Sequence, residues 1–167
     1  MLNKENMEEK LAKAIALRSD KKYSESEIIL KELIKDFPNE AKIYYHYAWL
    51  CDNMERETEA RPKYEKALEL GLAGEDLIGC YLGLGSTYRC IGEYEKSIAL
   101  LDRAIKEYPS NNEYKVFKAM ALYNVNEYKE AMNLLLNVIA STSSDKGVQE
   151  YQKAIEYYSD KLDKTFK

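Results

Sequence analysis

One histidine, His46, and three cysteines, Cys51, Cys80 and Cys90, are the side chains best suited to nucleophilic or metal chemistry. Zinc and cysteine–histidine schemes need a second imidazole or paired thiolates at short spacing. The cysteines are odd in number and show no CxxC spacing. The sequence also lacks a Gly-rich phosphate loop, a GxSxG elbow and an HExxH pair. Carboxylates abound, but on helices they usually form solvated faces whose ion pairs contribute about a few tenths of a kcal/mol. The expectation is therefore a protein that is not an enzyme and takes no metal or cofactor. The cysteines read as small buried side chains, with Cys90 the one to test for exposure.

The elements that would position any other site are helices. The 167 residues include 3 Pro and 7 Gly against 46% hydrophobic residues, so long uninterrupted helices are expected and disorder is not. A balance of 25 Lys+Arg against 29 Asp+Glu gives a formal charge of -4 with no sustained basic block, which argues against nucleic acid as a partner. The start, MLNKENMEEK, is charged, and no apolar run approaches membrane-spanning length. A cytoplasmic protein with no membrane partner is expected.

A pattern recurs along the chain: a small residue, a bulky one three further on, a turn, then a second amphipathic run. The turns fall at Lys21-Lys22-Tyr23, Glu55-Arg56, Gly92-Glu93-Tyr94 and Asn126-Glu127-Tyr128. Equivalent first positions are Met7, Ala41, Ile78 and Asn112, spaced by 34, 37 and 34 residues. The three-residue insertion lies in GLAGED, where Gly71 suits a left-handed helix end and Glu75 or Asp76 suits the next helix start. Pro62 is discordant inside a helical run, and predicts a late start near Glu59 or a bend. Beyond the linker STSSDKG, the residues Val148, Tyr151, Ile155, Tyr158 and Leu162 recur at helical spacing.

Tyr81, Leu84-Gly85, Tyr88, Ser97, Leu101, Ala104 and Pro109 in the third unit carry a resemblance to the tetratricopeptide repeat (TPR), with its W-x2-L-G-x2-Y, A-x3-F, A and P pattern. The chain looks like the small bacterial proteins of that family. The resemblance implies an all-α, right-handed α-solenoid of four helix-turn-helix units at about 7–40, 41–77, 78–111 and 112–144. A C-terminal capping helix at about 147–163 would cover the fourth unit, the whole forming a single domain of nine helices. Lys115 and Lys118 replace bulky residues in the fourth unit, where Val138 also stands at a usual alanine. On this register Ala14, Ala48, Gly85 and Ala119 sit where paired helices cross closely, facing Ser26, Ala60, Ser97 and Ala131. Gly79 and Gly83 have no such role; they mark a notch or are simply tolerated.

The resemblance also implies a concave face lined by first helices and used to bind proteins. Mapped residue by residue, the partner-binding set is Lys42, Tyr45, His46, Trp49, Leu82, Ser86, Arg89, Phe117, Met120 and Tyr123, with Arg18, Asp52 and Asn53 on the wider strip. Such a groove suits an extended or helical peptide with apolar anchors. The same spacing also suits core residues between units, so Trp49, Phe117 and Met120 remain open to either role. A lone His46 is more often capped than a pH switch, and most of the 15 tyrosines fall on packing stripes. The expected function is a non-catalytic scaffold binding a protein or peptide. Two alternatives stand beside it: a self-associating element that pairs with another copy, and a regulator gated by a peptide or metabolite.

Overall fold

The computed structural model describes residues 4–166 and, among them, ten helices and no strand. These are α1 (Lys4–Ser19), α2 (Tyr23–Asp36), α3 (Ala41–Asn53), α4 (Glu57–Glu69), α5 (Gly74–Cys90), α6 (Tyr94–Glu107), α7 (Asn112–Asn124), α8 (Tyr128–Thr142), α9 (Lys146–Glu150) and α10 (Gln152–Tyr158). The expected capping helix over 147–163 is thus two short helices interrupted at Tyr151, which raises the total from nine to ten. The chain divides between Ile91 and Gly92 into two compact units, one holding α1–α5 and the other α6–α10.

In the first unit each helix packs on the next, and α3 also touches α1 and α5. Its core includes Leu30, Leu33, Ile43, Leu50, Cys51, Tyr64, Tyr81 and Leu84, none more than 2% exposed. Burying one such side chain contributes roughly 1.5–3 kcal/mol. The small residues do what their spacing implies: Ala14 and Ser26 are both buried, and the Ser26 hydroxyl donates to the Ala14 carbonyl at 2.8 Å. Ala48 and Ala60 are likewise fully buried. In the second unit, where α7 packs on α6 and α8, Ala119 and Ala131 share a cluster with Leu122, flanked by Ile98, Leu134 and Leu135.

The recurring turns have a common geometry. Lys21, Glu55, Gly92 and Asn126 all have positive φ, at 62°, 56°, 84° and 64°. The amide of the following residue reaches back to Leu17, Cys51 and Leu122 in the first, second and fourth turns, satisfying a carbonyl the helix end leaves open. Gly71 closes α4 in the same way, with φ 79°, and buried Leu72 donates to the Ala67 carbonyl at 3.1 Å.

Two local expectations are corrected, and one departure from the family pattern is explained. Helix α4 begins at Glu57 and runs through Pro62, which is exposed; the Lys63 ammonium donates to the Glu59 carbonyl at 2.8 Å in the preceding turn. Neither Glu75 nor Asp76 caps α5, whose N-cap is Ala73. Asp76 instead faces α3, 3.9 Å from His46 Nε2. Lys118, which stands in place of a bulky family residue, is buried between Asp102 and Glu130 at 2.8 and 2.7 Å. The two carboxylates offset the desolvation and hold its ammonium above the ordinary lysine value.

Candidate partner-binding site

Three aromatic residues of α3, Tyr45, His46 and Trp49, lie three and four positions apart and therefore share one side of the helix. Tyr45 and Trp49 ring centres are 5.8 Å apart, and the His46 and Trp49 rings are stacked at 6.4 Å. From the last turn of α1, Arg18 completes the group, its guanidinium carbon lying 3.8 Å from the centre of the indole ring. Arg18 Nη1 also points at the His46 carbonyl, 3.3 Å away, and at Nδ1, 3.4 Å away.

Burial separates these residues. Tyr45 and His46, expected on an open groove, are buried at 5% and 8% exposure and serve as packing. Burial pushes the His46 imidazole down to about 4, with the cations Arg18 and Lys42 acting in the same direction. The ring is therefore neutral at pH 7, and its approach to Asp76 is not an ion pair under those conditions. Burial likewise pushes the Tyr45 phenol up to about 12. Trp49 remains 41% exposed, so it is not a core residue between helices.

The glycines without a family role explain why Tyr45 can be buried. A Cβ at Gly79 would stand 2.2 Å from the Tyr45 hydroxyl oxygen, so the missing side chain on α5 is the space the phenol occupies. Gly83 does the same for Tyr64 of α4, whose hydroxyl oxygen and Cζ would lie 2.5 and 2.6 Å from an added Cβ. The Tyr64 hydroxyl donates to Asp52 Oδ2 at 2.7 Å, and Thr87 Oγ1 approaches Oδ1 at 3.1 Å. Burial raises the Asp52 carboxyl above its ordinary value despite these two donors.

Beside the exposed part of Trp49 lies a cleft of about 300 Å³, lined by Arg18, Ser19, Lys21, Tyr23, Trp49 and Asn53. It offers an apolar wall, two cations and several hydrogen-bonding groups. Ser19, Lys21 and Tyr23 are contributors that sequence reasoning did not select. Their signal was their place at the α1–α2 turn, directly after Arg18.

The other expected residues divide between the two units. In the first, Lys42 is exposed while Leu82, Ser86 and Arg89 of α5 are half-buried. Arg89 Nη2 lies 3.7 Å from the sulfur of Cys90, which is exposed. In the second, Phe117 is half-buried, whereas Met120 and Tyr123 are 38% and 64% exposed on α7. Tyr123 meets Tyr128 edge-on at 5.2 Å.

Helices paired at this spacing, with small residues at the crossings and a left-handed residue in each turn, define a helical-repeat protein. A family model described as Tetratrico peptide repeat matches residues 41–162, and the chain belongs to that family. Residues 7–40 lie outside the match, yet the turn between α1 and α2 has the same positive φ, and Ala14 and Ser26 are buried in contact. Among curated proteins, Superkiller protein 3 of Saccharomyces cerevisiae is 35% identical over 69 residues, which is 41% of this chain and 5% of that protein.

Solved structures share the fold. The MamA RS-1 ArsTM double mutant superposes with a TM-score of 0.73 at 20% identity, covering 86% of this chain and 80% of that one. MamA 41-end from Desulfovibrio magneticus RS-1 gives 0.71 at 18% identity, with 90% and 78% covered. MamA MSR-1 C2 gives 0.66 at 15% identity, with 92% and 78% covered. No helix among the described residues is long and apolar enough to cross a membrane.

Proposed function

We propose that this chain is a non-catalytic interaction module that captures a protein or peptide segment on the face of the first unit carrying Trp49. The observation behind this reading is an indole left 41% exposed, held by Arg18 at 3.8 Å, at the edge of a cleft. Exposed aromatic surface of this kind is a common anchor, and binding energy concentrates in a few such aromatic and arginine residues. The cleft suits an apolar side chain flanked by acceptor groups, which Lys21 and Arg18 would meet. A cytoplasmic setting is in keeping with Cys51, Cys80 and Cys90 all being free thiols.

The test compares partner capture from native cell extract by the parent chain, Trp49→Ala and Lys21→Ala, both on the lining of that cleft. Losing an anchor typically costs about 2 kcal/mol, or roughly thirtyfold in affinity, so each variant should lose most capture. Helical content should persist, since Trp49 is only partly buried. If both variants stay folded and capture as well as the parent, the reading fails; a steep drop in Tm for Trp49→Ala assigns the indole to packing.

A further inference from the structure

Among the described residues two cations are buried, and their surroundings differ. Lys118, 9% exposed, sits between the carboxylates of Asp102 and Glu130. Arg18, 7% exposed, has no carboxylate of a described residue at ion-pair distance. Its polar contacts run from Nη1 to His46, at 3.3 Å to the carbonyl and 3.4 Å to Nδ1, and both acceptors are neutral at pH 7. Burial lowers the Arg18 value from the ordinary arginine range with no acid to oppose it. A charge taken out of water without a counter-charge is unfavourable, so an anion that seats on Arg18 completes what Asp102 and Glu130 supply to Lys118.

The guanidinium is already oriented for one kind of anion. Its donors lie in its plane, and the Trp49 ring, 3.8 Å away, covers a face and uses none of them. With Nη1 turned to His46, Nε and Nη2 remain. That side-on pair matches the two oxygens of one carboxylate.

The cleft that Arg18 lines carries charge of one sign. Arg18 and Lys21 are its cations, and no acid lines it, Asp20 of the same turn included. Trp49 and Tyr23 form its apolar side. At about 300 Å³ it has room for one short acidic side chain and part of an apolar neighbour. One fork and one ammonium suit a planar acid better than a phosphate, which presents three strong acceptor oxygens.

On the reading of this face as a capture site, we propose that the captured segment is acidic, with a glutamate or aspartate side chain of the partner seated between Arg18 and Lys21 and its apolar neighbour against the indole.

Trp49 is the sole tryptophan, so its fluorescence reports on this cleft directly. The probe is the pentapeptide Gly-Glu-Leu-Glu-Gly, acetylated and amidated at its ends so that only side-chain carboxylates are present, titrated from about 0.01 to about 10 mM. Fluorescence should change saturably with a Kd of about 1 mM or tighter, and the affinity should fall as sodium chloride is added. The matching Gly-Gln-Leu-Gln-Gly peptide should bind at least tenfold more weakly. Lys21→Glu, a charge reversal at an exposed turn position, should lose at least tenfold with an unchanged circular dichroism spectrum, and Arg18→Gln should lose as much. No response to the glutamate peptide, equal affinity for the glutamine peptide, or full affinity in Lys21→Glu overturns the proposal. So does a response confined to inorganic phosphate or to the same peptide with a free C-terminal carboxylate. Capture from extract that is still lost in Trp49→Ala and Lys21→Ala would then leave the capture site standing with a partner of other chemistry, so the two failures are told apart.

Discussion

The imidazole of His46 is buried on α3 with Arg18 on one side, Lys42 nearby and Asp76 facing Nε2. Its folded value of about 4 lies below the ordinary 6.5, so the unfolded chain takes up the proton first. The stability contributed by the neutral ring is present above pH 6.5 and is lost as pH falls toward 4. Asp52 and Asp76, raised by burial, act in the opposite sense where the folded form protonates first. Glu27 is held at about 2 chiefly by Arg56, with Lys31 and Tyr47 also bonded to it, so its contribution is lost only as pH falls from about 4.5 to 2. Because His46 is the sole histidine, its proton resonance can be followed without assignment. Titration by NMR should give a midpoint near 4; one near 6.5 would place the ring in water. Its lone occurrence was legible in the sequence, but its burial was not, because i, i+3 and i, i+4 spacing gives a shared face without saying what covers it.

At the scale of elements, the four turns repeat one conformation with four different residues. Gly92 and Asn126 suit a left-handed position, whereas Lys21 and Glu55 adopt it with a Cβ that crowds the carbonyl. Replacing exposed Glu55 with glycine should therefore stabilise by about 0.5–1 kcal/mol, while Gly92→Ala should cost about 1 kcal/mol or more. Urea unfolding midpoints measure both, and a destabilised Glu55→Gly would contradict the turn geometry. The turns were legible because they recur at a fixed period, even where the residue itself gave no turn signal. The C-terminal stripe was legible in the same way, but its direction was not: period identifies residues on one side without saying which side meets α8, and here Tyr151, Tyr158 and Leu162 are exposed while Ser159 is buried and accepts from Asn137 of α8.

For the whole molecule, the division between Ile91 and Gly92 falls between α5 and α6, inside the span 78–111 that the sequence led one to expect as a single unit. A chain ending at Ile91 retains the core of Ile43, Leu50, Tyr64, Tyr81 and Leu84. It should be helical by circular dichroism and unfold in one cooperative transition; a featureless melt would show that this half needs the remainder. Repeat register predicted helix pairing over most of the chain, but not where the compact units divide, since the 34-residue period is indifferent to that boundary. It also left Gly79 and Gly83 without a purpose, because their partners are 34 and 19 positions earlier and belong to other helices.

Those two notches restrict the order in which the sequence can change. At Gly79 most of the conflict is with a single phenol oxygen, the ring carbon beyond it standing 3.1 Å from an added Cβ. Tyr45→Phe removes that oxygen and opens a route to alanine at 79. At Gly83 the Tyr64 ring carbons stand at 2.6 and 3.0 Å, so the ring itself must shrink or move first. At both notches the smoother path changes the tyrosine before the glycine, and the constraint is tighter at Gly83, where ring carbons as well as the hydroxyl stand in the way.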